Sequence, residues 1–157
     1  MQLRGTDIVV DKIRAKRNII SGSGATASLS EFDSGSMVLF DRAAGIVFTL
    51  PAACPAGTWY EFAVTTTITS NAAKVITGAG TELLVGNIIN CDTDTSDAVA
   101  IWNALVGDSY IAVSMNGSTT GGIKGDRFRV TKLNSTTWVV EGMTSGTGTV
   151  ATPFATS

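Results

Sequence analysis

The sequence predicts an all-β protein, a single-domain β-sandwich of jelly-roll-like type with an extended N-terminal arm. Threonine (22), serine (14) and glycine (17) together make up about a third of the 157 residues. Threonine favours strands because its β-branched side chain fits a pleated surface, and glycine supplies tight turns. Several segments also alternate apolar and polar residues with a period of two, the pattern of half-buried strands. The length suits one domain.

Residues 1–30 differ from the rest and are predicted to form an arm and linker ahead of a sandwich domain over residues 31–157. Five of the eleven basic residues lie in the first seventeen positions. Ser21–Ser28 is rich in glycine and serine, a composition typical of a flexible linker. Two interpretations of Asp7–Ile13 stay open: a docking arm, or a first strand followed by a surface loop. The residues predicted to contact a capsid or a neighbouring subunit are Asp7, Ile8, Val9, Val10, Lys12, Ile13, Arg14, Lys16 and Arg17.

Strand patterns are dense from Gly35 onward. Tyr60, Phe62 and Val64 share one face of a predicted strand over Thr58–Thr65, and Trp59 and Glu61 share the other. The other segments of the first half that predict strands are Met37–Asp41, Ile46–Leu50, Lys74–Thr77 and Glu82–Ile89.

The second half contains one ambiguous segment, Ser96–Gly107. Its apolar spacing suits a helix with Ser96 and Gly107 as caps, but a strand over Asp97–Trp102 suits the surrounding β pattern better. Further strands are predicted at Ile111–Met115, around Phe128 and Val130, and over Thr136–Glu141, with a Gly/Thr-rich tail from Thr144. About nine closely spaced strands predict a sandwich or jelly roll.

Composition excludes several functional classes. The net charge is −2 and the isoelectric point is about 4.9, whereas nucleic-acid-binding domains are usually basic. Histidine is absent, which excludes Ser-His-Asp triads and His-ligated metals. We expect no membrane span and no signal peptide, because no long apolar run is present. We also expect no cofactor. Cys54 and Cys91 are too few for a disulfide framework and are expected to be two partly buried thiols.

Three groups of residues are candidates for function. Asp92, Asp94 and Asp97 could supply hard oxygen ligands for Ca²⁺, although an acidic solvated loop between strands is the simpler and favoured interpretation. Arg127, Arg129 and Lys132 form either a small basic patch or the solvent face of an edge strand, where charge discourages aggregation. The tryptophans, Trp59, Trp102 and Trp138, suit core or interface packing, or stacking on sugars.

The order of four pieces resembles small head proteins of tailed bacteriophages, the capsid decoration or cement proteins. The pieces lie between residues 29 and 142; the basic arm and the Thr-rich tail lie outside the match. They are Ser36–Asp41 with Val47–Pro51, Ala56–Phe62, Val106–Asp108 ahead of Tyr110–Met115, and Thr137–Gly142.

The resemblance implies a non-enzymatic protein that sits as a homotrimer on the outer capsid surface. It would bridge subunits of the major capsid protein, stabilise the mature shell and be made in the host cytoplasm. Two other hypotheses stay open: a carbohydrate- or receptor-binding module of a phage fibre or spike, and a small β-fold enzyme with two close carboxylates.

Overall fold

The computed structural model describes residues 17–94 and 99–157, which form two mixed β-sheets packed against each other. This confirms the predicted all-β sandwich. The described residues form twelve strands and two short 3-10 helices, Glu31–Asp33 and Val106–Asp108. The strands are β1 (Ile19–Ser21), β2 (Thr26–Ser28), β3 (Met37–Phe40), β4 (Val47–Thr49), β5 (Trp59–Val64), β6 (Ala73–Ile76), β7 (Leu83–Asp92), β8 (Val99–Ala104), β9 (Ala112–Met115), β10 (Arg127–Asn134), β11 (Thr137–Gly146) and β12 (Phe154–Ala155).

The first six strands alternate between the two sheets. The seven-stranded sheet has the order β1-β3-β5-β10-β11-β7-β8, and the five-stranded sheet has the order β12-β9-β6-β4-β2. Within this half, β1, β3 and β5 run parallel, as do β2, β4 and β6. The chain therefore winds around the core as a two-layered coil, although the sequence shows no internal repeat.

The second half completes the larger sheet. β10 and β11 form an antiparallel hairpin, and β10 also pairs antiparallel with β5. β11 then runs parallel to β7 over ten residue pairs, from Thr137 opposite Leu83 to Gly146 opposite Asp92. β8 pairs antiparallel with β7 and ends the sheet.

The core lies between the sheets and is aromatic at its centre. The inward residues of β3, β4, β5 and β10 bring four phenylalanines together, and the rings of Phe62 and Phe128 stack with centroids 5.1 Å apart. Tyr60 packs on Trp138 at 6.3 Å and donates its hydroxyl to the carbonyl oxygen of Ser30. Both side chains are fully buried.

Several sequence-based expectations need correction. The predicted flexible linker is wrong in part, because Ser21 ends β1 and Thr26–Ser28 forms β2. The strand predicted over Thr136–Glu141 is longer than expected, since β11 continues to Gly146 in the Gly/Thr-rich tail, where Phe154 also lies buried in β12. Within the ambiguous segment, Val99–Ala104 is a strand, as expected. The described residues contain no helix long and apolar enough to cross a membrane.

Candidate interaction surface

The outer face of the seven-stranded sheet carries a cluster of charged side chains around one tryptophan. We call it the arginine–tryptophan cluster; its members are Arg17, Trp59, Glu61, Arg129 and Glu141. Strand register brings them together, because Arg129 lies opposite Glu61 on β5 and opposite Glu141 on β11. Odd-numbered residues of these strands point outward, away from the aromatic core.

The cluster is held by stacking and ion pairs. The guanidinium carbons of Arg17 and Arg129 lie 5.1 and 4.8 Å from the centre of the Trp59 ring. Arg17 Nη1 donates to Glu61 Oε2 at 2.6 Å, and Arg129 reaches Glu141 at 3.7 Å. Each cation–π contact at such a half-exposed site contributes about 0.5–1 kcal/mol. The cluster therefore fixes the point at which the chain enters β1.

An open groove of about 620 Å³ runs beside this cluster over the ends of β10 and β11. Its walls include Glu61, Arg127, Arg129 and Glu141, together with the apolar side chain of Met143. The groove thus presents both charges and apolar surface, a mixture common at protein interfaces.

The far edge of the same sheet is apolar. We call it the β8 edge; it comprises β8 with Leu105 and Val106. Val99 and Ile101 are 63% and 62% exposed, and Leu105 and Val106 are exposed as well. Among the described strands, β8 pairs only with β7, so no described strand covers its other side. The half-buried Trp102 has no hydrogen-bond partner for its indole Nε1 among the described residues.

A buried ion pair lies under the opposite face of the sheet. Lys132 and Glu82 are both 2% exposed, and the Lys132 ammonium donates to the Glu82 carboxylate. The Trp138 indole donates to the same carboxylate at 3.0 Å, and the ammonium also lies 4.9 Å from the centre of that ring. The ammonium, both carboxylate oxygens and the indole N–H each have a partner, which favours a structural role.

The Asp126 carboxylate holds the turn before β10 by hydrogen bonds to backbone N–H groups. Its carboxylate accepts backbone N–H groups from Gly122 (2.8 Å), Ile123 (3.0 Å) and Ser145 (2.8 Å). Burial raises the pKa of this carboxyl, because water is excluded from the charged form, and the three N–H donors oppose that shift. The residue therefore ties the turn to β11.

Two of the candidate metal ligands accept hydrogen bonds from backbone N–H groups of nearby turns. Asp92 Oδ1 accepts the backbone N–H of Asp94 at 3.1 Å, and Asp94 Oδ2 accepts that of Gly148 at 2.8 Å. Asp97 lies outside the described residues. In the described part of the chain, no three His, Cys, Asp or Glu side chains converge. The Ca²⁺ site stays a prediction.

The cysteines are unpaired and half-buried, as expected. Burial raises the pKa of the Cys54 thiol, which keeps it protonated near neutral pH. Cys91 lies on the outer side of β7, opposite Val99.

Neither interpretation of Arg127, Arg129 and Lys132, as a small basic patch or as the solvent face of an edge strand, is fully correct. Arg127 and Arg129 do share the solvent face, but Lys132 points into the core beneath them. β10 is also not an edge strand, since β5 and β11 flank it. The period-two pattern already indicated that Lys132 points inward, because it lies an even number of residues from the buried Phe128 and Val130.

The predicted contact residues of the arm fall on both sides of the described boundary. Asp7, Ile8, Val9, Val10, Lys12, Ile13, Arg14 and Lys16 lie outside the described residues. Arg17 lies inside and belongs to the arginine–tryptophan cluster.

Comparison of the chain with protein families, curated proteins and solved structures gives no match.

Proposed function

We propose that this protein is a non-enzymatic decoration protein of a tailed-phage capsid, which binds the outer shell as a trimer and stabilises it. The observation that carries the proposal is the outer sheet face with its apolar β8 edge. A rigid sandwich that leaves several large apolar side chains exposed in one region has a surface suited to association. The order of sequence pieces that resembles phage head proteins points to the same class.

The physical role follows from repetition. A shell presents many equivalent binding positions, so a protein with modest affinity for each subunit stabilises the assembled lattice by mass action. Bridging two subunits at once adds avidity without new contact area. The charged groove and the β8 edge together offer polar and apolar contacts for such bridging.

The fibre-module alternative draws on Trp59 and the groove beside it. Sugar recognition needs an accessible aromatic face, but two guanidinium groups already lie over the Trp59 ring. We therefore favour the shell role. Tryptophan fluorescence that responds to added polysaccharide would reverse this preference.

The test is the copy number in purified particles of the source phage, measured by quantitative mass spectrometry. We expect a copy number comparable with that of the major shell protein. Purified protein should also rebind shells from which it has been removed and raise the temperature at which they release DNA. A low copy number would indicate a fibre or vertex, and absence from particles would overturn the proposal.

A further inference from the structure

The β8 edge is exceptional among the four sheet edges of the described chain. The other edge strands, β1, β2 and β12, have only two or three residues, whereas β8 has six. β8 reads Val-Ala-Ile-Trp-Asn-Ala and contains neither charge nor proline. Exposed sheet edges of this length and character recruit further strands, and natural proteins cover or charge them. A covering strand is therefore expected.

We propose that Asp7–Ile13 of one copy adds as a strand to the β8 edge of a neighbouring copy. The segment has seven residues, enough to cover the six of β8. Ile8 and Val10 share one parity, which matches the exposed Val99 and Ile101 on the outer face. Asp7, Val9, Asp11 and Ile13 have the other parity, which would place a carboxylate acceptor on the side of Trp102, whose indole N–H lacks a partner among the described residues.

The length of chain between Ile13 and β1 is too short for Asp7–Ile13 to pair with β8 of the same copy. β1, which begins two residues after Arg17, forms the opposite edge of the sheet, and Arg17 is held by Glu61 and by the carbonyl oxygen of Gly35. Six strand spacings separate β1 from β8, about 29 Å at the usual interval. The stretch from Ile13 to Ile19 spans at most about 20 Å when fully extended. The arm therefore cannot lie along its own β8 and must use another copy.

Charge favours the same pairing. The first seventeen residues contain five basic and two acidic side chains, so they carry a net charge of +3 and the remaining chain carries −5. Asp92 and Asp94 precede β8, and Asp108 follows it. Lys12 and Arg14 thus approach the acidic residues that flank the apolar β8 edge, which steers association and makes it sensitive to salt.

The contact is heterologous, because the arm that precedes β1 at one edge of the sheet pairs with β8 at the opposite edge of another copy. Such contacts close into a ring when the rotation between copies permits it. A three-membered ring would give the trimer of the proposed function. The exchange itself concerns the purified protein and does not require that function to be correct.

Complementation between two full-length variants tests the exchange. Ile101→Lys damages the acceptor edge and leaves the arm intact, whereas Ile8→Asp/Val10→Asp damages the arm and leaves the edge intact. By analytical ultracentrifugation, the unaltered protein should sediment as a multiple of 16.2 kDa and each variant as a monomer. An equimolar mixture of the two variants should form a heterodimer, because one intact arm then meets one intact edge.

The control is Leu133→Lys, since Leu133 is 50% exposed on β10 and lies away from β8. It should keep the mass of the unaltered protein. A peptide of residues 5–15 should bind the arm-defective variant and change its tryptophan fluorescence, and the same peptide with both aspartate substitutions should not. A monomeric unaltered protein, an unchanged Ile101→Lys variant or a mixture without heterodimer would overturn the proposal. Copy number in particles is independent of all three outcomes.

Discussion

At the scale of single residues, the most demanding feature is the charge buried between the sheets. Lys132 occupies an inward position of β10, where the flanking inward residues are Phe128 and Val130. Its charge is tolerated because Glu82 neutralises it and Trp138 provides both a ring face and a second donor to the carboxylate. The trio joins β10, β11 and the start of β7.

Lys132→Met should destabilise the fold by about 3–5 kcal/mol, because it leaves the Glu82 carboxylate buried without its counter-ion. Lys132→Met/Glu82→Gln should recover most of the loss, since the amide oxygen of glutamine still accepts the Trp138 indole N–H. Urea unfolding followed by tryptophan fluorescence measures both. Lys124→Met, at an exposed lysine, should change the free energy of unfolding by less than about 0.5 kcal/mol. A double variant as unstable as the single one would contradict the ion-pair account.

At the scale of elements, the parallel pairing of β7 with β11 holds the second half of the larger sheet. Gly86 lies within this pairing, opposite Val140, and has φ +124°. A Cβ at this position would stand 2.1 Å from the carbonyl oxygen of Val140. The residue is glycine because both the backbone conformation and the neighbouring strand exclude a side chain.

Gly86→Ala should lower the free energy of unfolding by at least about 2 kcal/mol, because the strained φ and the clash act together. Gly80→Ala is the matched control, since no atom lies within 4 Å of its added Cβ. Thermal unfolding of both variants measures the difference. Equal stability of the two variants would contradict the conclusion that the backbone of β11 excludes a side chain at position 86.

Individual strands were predictable from the sequence, and their pairing was not. The alternation of Tyr60, Phe62 and Val64 identified β5 and its buried face correctly, because period two is a local property. The parallel neighbours of β5 and β11 come from chain segments far away, and no local pattern records them. The same limit explains why the sequence alone does not show that β10 lies inside the sheet rather than at its edge.

The candidate surface was predictable only in part. Arg129 on a solvent face followed from its parity, but its convergence with Arg17 and Glu61 depends on which strands are neighbours. The apolar exposure of β8 had no local signature, since Val99 and Ile101 read like ordinary strand residues. Only the order of strands shows that they stand at an edge.

At the scale of the whole molecule, the topology separates local from distant contacts. The described first half contains no hairpin, since β1 to β6 alternate between sheets and pair parallel across the chain. The hairpins β7–β8 and β10–β11 join neighbours in sequence. Short loops cost less entropy to close, so we expect β10 and β11 to form early, with the coil of β1 to β6 completed later.

This order predicts opposite kinetic effects for two equivalent core substitutions. Val130 in β10 and Val75 in β6 are both fully buried, and truncation of either to alanine should cost about 2–3 kcal/mol. Val130→Ala should act mainly by slowing folding, because its contacts with β11 belong to the hairpin that forms early. Val75→Ala should act mainly by speeding unfolding, because its contacts form after the barrier. Stopped-flow refolding and unfolding in urea separate the two effects. If Val75→Ala slowed folding as much as Val130→Ala, the coil and the hairpin would form together, and the parallel half of the sandwich would belong to the nucleus.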